Sequence, residues 1–182
     1  MGDQARLIEI LKQRSVRFGS FVLASGRESD LYVDARQTTL SAEGASLIAR
    51  MVLDRLAPGV VGVGGPVTGA DPITGAVVAL SWMENRPVHG FMVRKEPKDH
   101  GAGNQVEGRG GLADSAKVCM IEDTVTTGGS LLKAIEAVEA HGLEVVQVIC
   151  VVDRQEGAAE RCAAAGYKLE PLVVRADLES TA

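Results

Sequence analysis

A chain of 182 residues, 46% apolar and 24% charged, is long enough for one domain with a sizeable core and has the composition of a globular protein. Aromatics make up only 3%, so Val, Ile, Leu and Ala must fill the interior. A formal net charge of −5 argues against a nucleic-acid or anionic-membrane surface, so neither partner is expected and any basic cluster serves a small local anion.

In chain order, "DQARLIEILKQRS" puts Leu7, Ile8 and Leu11 on one side of an amphipathic helix. "FVLASGRESDLYVDAR" reads as two short strands around a Ser-Gly turn. Ser41 to Leu56 follows as a helix with Leu47, Ile48, Met51, Val52 and Leu56 inward. "VVGVGG" is a buried strand, and "DPITGAVVALSWME" a helix with Asp71 as N-cap and Pro72 at its first position. "VHGFMV" is a strand, followed by a polar interval from Arg94 to Ser115. "KVCMIE" is a strand, and Ser130 to His141 a helix closed by Gly142. "EVVQVICVV", "EGAAERCAAAG" and "KLEPLVV" complete the chain as strand, helix and strand. Short Val- and Ile-rich runs separated by helices specify an α/β fold, a mostly parallel central sheet flanked by helices. The opening helix and hairpin break the alternation and read as a small subdomain over one end of the sheet.

Cys119, Cys150 and Cys162 are odd in number and lack metal-ligand spacing, which marks them as buried reduced thiols. The three histidines are scattered, so no direct metal site is expected. No run suits a signal peptide or a membrane span, and a cytoplasmic location is expected.

The strongest signal is "KVCMIEDTVTTGGSLLKAIEAV", Lys117 to Val138. An apolar strand ends in Glu122-Asp123, and a run of small and hydroxylated residues leads into a helix. Gly128 and Gly129 let the backbone expose its amides, the hydroxyls add donors, and the helix dipole favours an anion there. No Lys follows the glycines as in a Walker A loop, and G-x-G-x-x-G is absent here. Two carboxylates beside a bound phosphate need another partner, either a ribose diol or Mg²⁺ brought in with the ligand. Together these describe a phosphorylated ribose, its phosphate on the loop and its hydroxyls on the acids. A lone T-G-G-S would read instead as a capped turn with solvated acids.

"VCMIEDTVTTGGS" resembles the phosphoribosyl pyrophosphate (PRPP) signature of the type I phosphoribosyltransferases. The polar interval adds Arg94, Lys95, Lys98 and His100 within seven residues. Its pattern R-K-E-x-K-x-H-G is similar to the catalytic loop of orotate phosphoribosyltransferases, which reaches across a homodimer to cover PRPP in the neighbouring subunit. "VVDRQEG" resembles that family's base-recognition segment, and "SGRESDLYVDAR" its N-terminal hood. "GVGGPVTGADPI" resembles its pyrophosphate-side loop.

The resemblance runs from about Phe18 to Gly157. It implies one phosphoribosyltransferase domain over 1–182, with 1–40 contributing the hood and 94–112 forming a mobile catalytic loop. It implies that Arg94, Lys95, Lys98, His100, Glu122, Asp123, Thr124, Val125, Thr126, Thr127, Gly128, Gly129 and Ser130 bind PRPP. It further implies that Thr126 and Arg154 bind orotate, and that Lys98, His100 and Asp123 are catalytic. Mg²⁺ then arrives carried by PRPP. On residue type alone Arg154 reads as a surface ion pair with Asp153 or Glu156. Many relatives have Lys directly before Ser-Gly where this chain has Ala24, which leaves Arg27 or the lid to compensate, or a weaker PRPP site.

The implied reaction is orotate plus PRPP giving orotidine 5′-monophosphate and pyrophosphate, a step toward UMP. Two alternatives stay open on sequence. One is a purine or uracil phosphoribosyltransferase, which the lid and Arg154 oppose. The other is a non-catalytic PRPP-binding regulator, which the net charge opposes.

Overall fold

In the computed structural model, which describes residues 2–22, 28–97 and 104–180, the Val- and Ile-rich runs pair into one six-stranded sheet. Its strands are β3 (Gly62–Pro66), β4 (His89–Val93), β5 (Val106–Glu107), β6 (Lys117–Val125), β7 (Glu144–Asp153) and β8 (Leu169–Val174). The order is β5-β4-β3-β6-β7-β8, parallel throughout except where β5 returns antiparallel along β4. A separate antiparallel hairpin pairs β1 (Val16–Val22) with β2 (Glu28–Val33).

Strand alternation divides the core into two layers. Cys119, Ile121, Ile149 and Val151 face a layer that also takes Leu7, Ile48, Val52, Ile73 and Val77. Those come from α1 (Asp3–Arg14), α3 (Ala42–Leu53) and α4 (Asp71–Met83). Val118, Met120, Val148 and Cys150 face the other layer, built on Leu131, Ile135 and Val138 of α5 (Gly129–Ala140) and Cys162 of α6 (Ala158–Ala164). The three cysteines are free and buried.

The architecture is the one the sequence specifies, with local differences. The opening helix does not stand apart with the hairpin: Leu7 and Leu11 lie in the larger core, and Ile10 is buried while Ile8 is only half-buried. Asp71 is not an N-cap. The helix begins at Asp71 itself, Ala70 precedes it, and no side chain caps it. The Ser41 hydroxyl does cap α3, accepting from the Gly44 amide at 3.2 Å, but that helix ends at Leu53 and leaves Leu56 beyond it.

The polar interval is also not a loop throughout. Val106 is buried, and reciprocal bonds join Arg94 and Gln105, backbone amide to carbonyl at 2.9 Å and Gln105 Nε2 to the Arg94 carbonyl at 3.0 Å. Val106, paired against β4, and Leu112, buried in the same layer, fold the far half of the interval back. Two short helices, α2 (Arg36–Thr39) and α7 (Arg175–Glu179), carry too little periodicity to be read from sequence.

From the centre of the sheet, β3 leads outward to β4 while β6 leads the other way to β7 and β8. The crossovers diverge there and open a crevice beyond the strands' carboxyl ends. Two glycines hold β3 close to its neighbours. A Cβ at Gly65 would lie 1.8 Å from the Ile121 carbonyl oxygen, and one at Gly64 2.2 Å from that of Phe91. By contrast, a Cβ on Gly75, inside α4, meets nothing within 4 Å. Gly65→Ala should therefore destabilise the fold by about 3 kcal/mol or more, while Gly75→Ala should stabilise it by about 0.5–1 kcal/mol. Chemical denaturation of the two variants checks both signs.

Candidate active site

The strand that carries the acids runs further than its apolar residues indicate. β6 stays paired with β7 through Val125, so Glu122 to Val125 are strand residues held in register. Each acid then folds back on the backbone after it. Glu122 Oε1 accepts from the Asp123 amide at 3.2 Å, and Asp123 Oδ1 from the Thr124 amide at 2.6 Å. Gly69, in the turn after β3, makes room for this: a Cβ there would sit 2.6 Å from Asp123 Oδ1.

Glu122 is only 7% exposed. Burial pushes its carboxyl up to about 8, and the Asp123 charge adds to the effect. Burial raises Asp123 as well, tempered by the Thr124 amide and by Arg36. Burial and mutual repulsion thus disfavour full ionisation of the pair. Beside it, Thr124 Oγ1 is buried without a partner among the described residues.

After Val125 the chain passes through Thr126 and Thr127 to Gly128, whose φ of 75° turns it into α5 without a side-chain cap. The first-turn amides of that helix are left for a ligand or water. A cleft of about 880 Å³ brings Glu122, Asp123 and Thr124 together with Gly129 and Ser130 of α5 and with Arg94 and Lys95 after β4. Val125, Thr126, Thr127 and Gly128 do not line it. Lys98 and His100, with the Ala24, Ser25 and Arg27 turn, fall outside the described residues.

Asp34 and Arg36 enter from the end of the hood segment and Thr68 and Gly69 from the pyrophosphate-side loop, while Lys133 and Arg161, from α5 and α6, are residues the sequence motifs did not single out. Lys133 stands one helical turn after Ser130, so helical spacing from the loop would have found it. Nothing local marks Arg161, which tertiary packing delivers.

Arg154 lies apart from this cleft and is not the surface residue its type indicates. It is 6% exposed, beneath the hairpin. Its amide donates to the Val125 carbonyl at 3.0 Å. Its Nη2 donates to Ser29 Oγ at 2.9 Å and the Leu31 carbonyl at 3.2 Å, and pairs with Glu156 Oε1 at 2.7 Å. Asp153 takes no part; its Oδ1 accepts from the Gln155 amide. Arg154 Nε is buried and has no partner among the described residues, an omission worth about 1–3 kcal/mol.

A family model described as phosphoribosyl transferase domain matches residues 72–168. The orotate phosphoribosyltransferase of Rhodopseudomonas palustris is 45% identical over 182 residues, covering 98% of this chain and 97% of its own. The crystal structure of Mycobacterium tuberculosis orotate phosphoribosyltransferase with Fe(III) dicitrate matches with a TM-score of 0.83 at 39% identity, over 98% of this chain and 100% of that one. A structure of that enzyme with PRPP gives 0.79 at 36% identity, with the same coverage. Similarity of this extent, along both the sequence and the fold, means that the chain belongs to the orotate phosphoribosyltransferase family.

Proposed function

We propose that the protein transfers ribose 5-phosphate from PRPP to orotate, giving orotidine 5′-monophosphate and pyrophosphate, in the making of pyrimidine nucleotides. The observation that carries this reading is the acid pair ending β6, set in one cleft with the uncapped start of α5. A ribose diol answers the first and a 5′-phosphate the second.

In this reading Thr124, Val125, Thr126, Thr127, Gly128, Gly129 and Ser130 form the cradle for the 5′-phosphate, its donors being the Thr and Ser hydroxyls and the first-turn amides of α5, since the Thr124 amide is held by Asp123. Glu122 and Asp123 hold the ribose hydroxyls. Arg94 and Lys95 flank the pyrophosphate, and Lys98 and His100 complete its cover. As the bond from C1 to pyrophosphate breaks, positive charge develops on the ribose, and the nearby Asp123 carboxylate stabilises it. The orotate ring nitrogen forms the new bond to C1 and is already anionic, so no strong general base is required. Arg154 and Thr126 orient orotate, the guanidinium fork matching a carboxylate.

Mg²⁺ belongs to the proposal. The carboxylates of Glu122 and Asp123 and the unpartnered Thr124 hydroxyl are hard oxygen donors of the kind it accepts. When carried in with PRPP, Mg²⁺ would neutralise charge on the leaving pyrophosphate. A homodimer in which the 94–112 segment serves the neighbouring subunit, a hood to which residues 1–40 contribute, one domain over 1–182 and a cytoplasmic location complete the reading.

Loss of orotate absorbance with PRPP and Mg²⁺ tests it, run beside uracil, adenine and hypoxanthine. Turnover of orotate alone is expected, and turnover of another base in its place would replace the assignment. Arg154→Ala should raise the orotate KM by at least about 30-fold, the equivalent of about 2 kcal/mol for one lost charged pair, with the PRPP KM little changed. Lys98→Ala should lower kcat far more than it weakens PRPP binding, and an unchanged kcat would remove Lys98 from the mechanism.

The acid pair gives a prediction for the unliganded protein. Glu122 binds its proton more tightly folded than unfolded, so the folded state is favoured below the ordinary carboxylate pKa. That advantage disappears as pH rises through about 8. The melting temperature should fall over this range, and Glu122→Gln should flatten the fall, as thermal melts across pH would show.

A further inference from the structure

We infer that Glu156 is an internal stand-in for the acceptor's carboxylate. It neutralises Arg154 while the acceptor subsite is empty and must yield before an anionic base can take its place. The inference rests on the proposed role of Arg154 in receiving orotate.

The geometry is specific. Nη2 and Nε of an arginine lie along one edge of the guanidinium, the edge that takes a carboxylate through two parallel bonds. Here Glu156 Oε1 lies 2.7 Å from Nη2 as an ion pair, while Nε is buried and has no hydrogen-bond partner among the described residues. Glu156 therefore supplies the counter-charge without closing both bonds of the fork, although the side chain is only 6% exposed. Ser29 Oγ and the Leu31 carbonyl, both of β2, crowd the same Nη2, so the hairpin is tied to the guanidinium that Glu156 occupies.

A buried guanidinium left without a counter-charge is costly, which is why an anion from the chain itself stands there. A ligand carboxylate that takes both Nε and Nη2 satisfies the donor that Glu156 leaves open. A neutral base has no charge with which to displace Glu156 and leaves the ion pair intact. Glu156 thus acts through Arg154 as a positioning residue. It lowers the affinity for the correct acceptor until it yields, while neutral bases are disfavoured by the buried Arg154 charge itself, with or without Glu156.

The test is steady-state kinetics of the full-length protein with orotate and with uracil at saturating PRPP. Glu156→Gln, which removes the competing charge and keeps the shape, should lower the orotate KM about threefold or more. Its kcat and PRPP KM should stay within about twofold, with uracil still not turned over. Glu156→Asp, too short to reach Nη2 in the same pose, should lower the orotate KM to a smaller extent, and it serves if the glutamine variant does not fold. An orotate KM that is unchanged or raised in both variants overturns the stand-in role, because Glu156 would then be supporting the guanidinium and not competing for it. Arg154→Ala separates this failure from that of the underlying reading. If it leaves the orotate KM unchanged, Arg154 does not receive orotate at all. If it raises that KM while the Glu156 variants do not lower theirs, only the stand-in fails.

Discussion

Two carboxylates on consecutive residues, one almost wholly out of water, cannot both stay charged without help, and much of the cleft is arranged around that constraint. The Asp123 and Thr124 amides each turn toward a carboxylate, and Gly69 removes the side chain that would crowd Asp123. Arg36 brings a charge from the chain after the hairpin, though its guanidinium is already bonded to Asp34. These partners moderate the repulsion without cancelling it. What remains is a site that gains most when something positive, or something with hydroxyls to donate, arrives between the acids and the start of α5. A sugar that becomes cationic during reaction is such a guest, so the instability of the empty site and the chemistry proposed for the filled one share a cause.

That arrangement depends on how closely the central strands approach. Gly64 and Gly65 let β3 lie against β4 and β6 with carbonyl oxygens where side chains would otherwise stand. The turn after β3, carrying Thr68 and Gly69, is thereby brought to the acids at the end of β6. The glycines of "GVGGPVTGADPI" therefore act through packing as much as through exposed amides. Any residue with a side chain at Gly65 would push the turn away from Asp123 before it touched a ligand.

The fold was legible because its signals are local: Val and Ile in short runs, helices between them, glycines closing those helices. The acids and the loop were legible because they are contiguous in sequence, so one motif carries strand end, cradle and helix start. Lys133 and Arg161 were not, since they reach the cleft from two different elements and each has an ordinary neighbourhood. Asp71 shows the opposite failure. Its type and the following Pro72 fit a cap, yet the helix starts a residue earlier than that pattern implies and the side chain is drawn inward, where burial raises its carboxyl. For Arg154 residue type gives an ion-pair partner, Glu156, but the wrong surroundings. Only the placement of β2 over the end of β7 reveals that it is buried with Glu156 beside it.

The two ends of the site handle charge in different ways. Five basic side chains, Arg36, Arg94, Lys95, Lys133 and Arg161, line the cleft against four acidic ones, Asp34, Glu96, Glu122 and Asp123. Among the described residues the balance there is positive although the chain as a whole carries −5. These cations are exposed and surrounded by water, so each contributes little alone and together they draw in a polyanion over a distance. Arg154 is the reverse case, a single charge out of water with a donor unused. Exposed charge attracts many anions and distinguishes few, whereas a buried fork rewards only the anion whose shape completes it. In this chain attraction is therefore concentrated where a phosphorylated sugar would enter, and discrimination where a planar acid would meet the guanidinium.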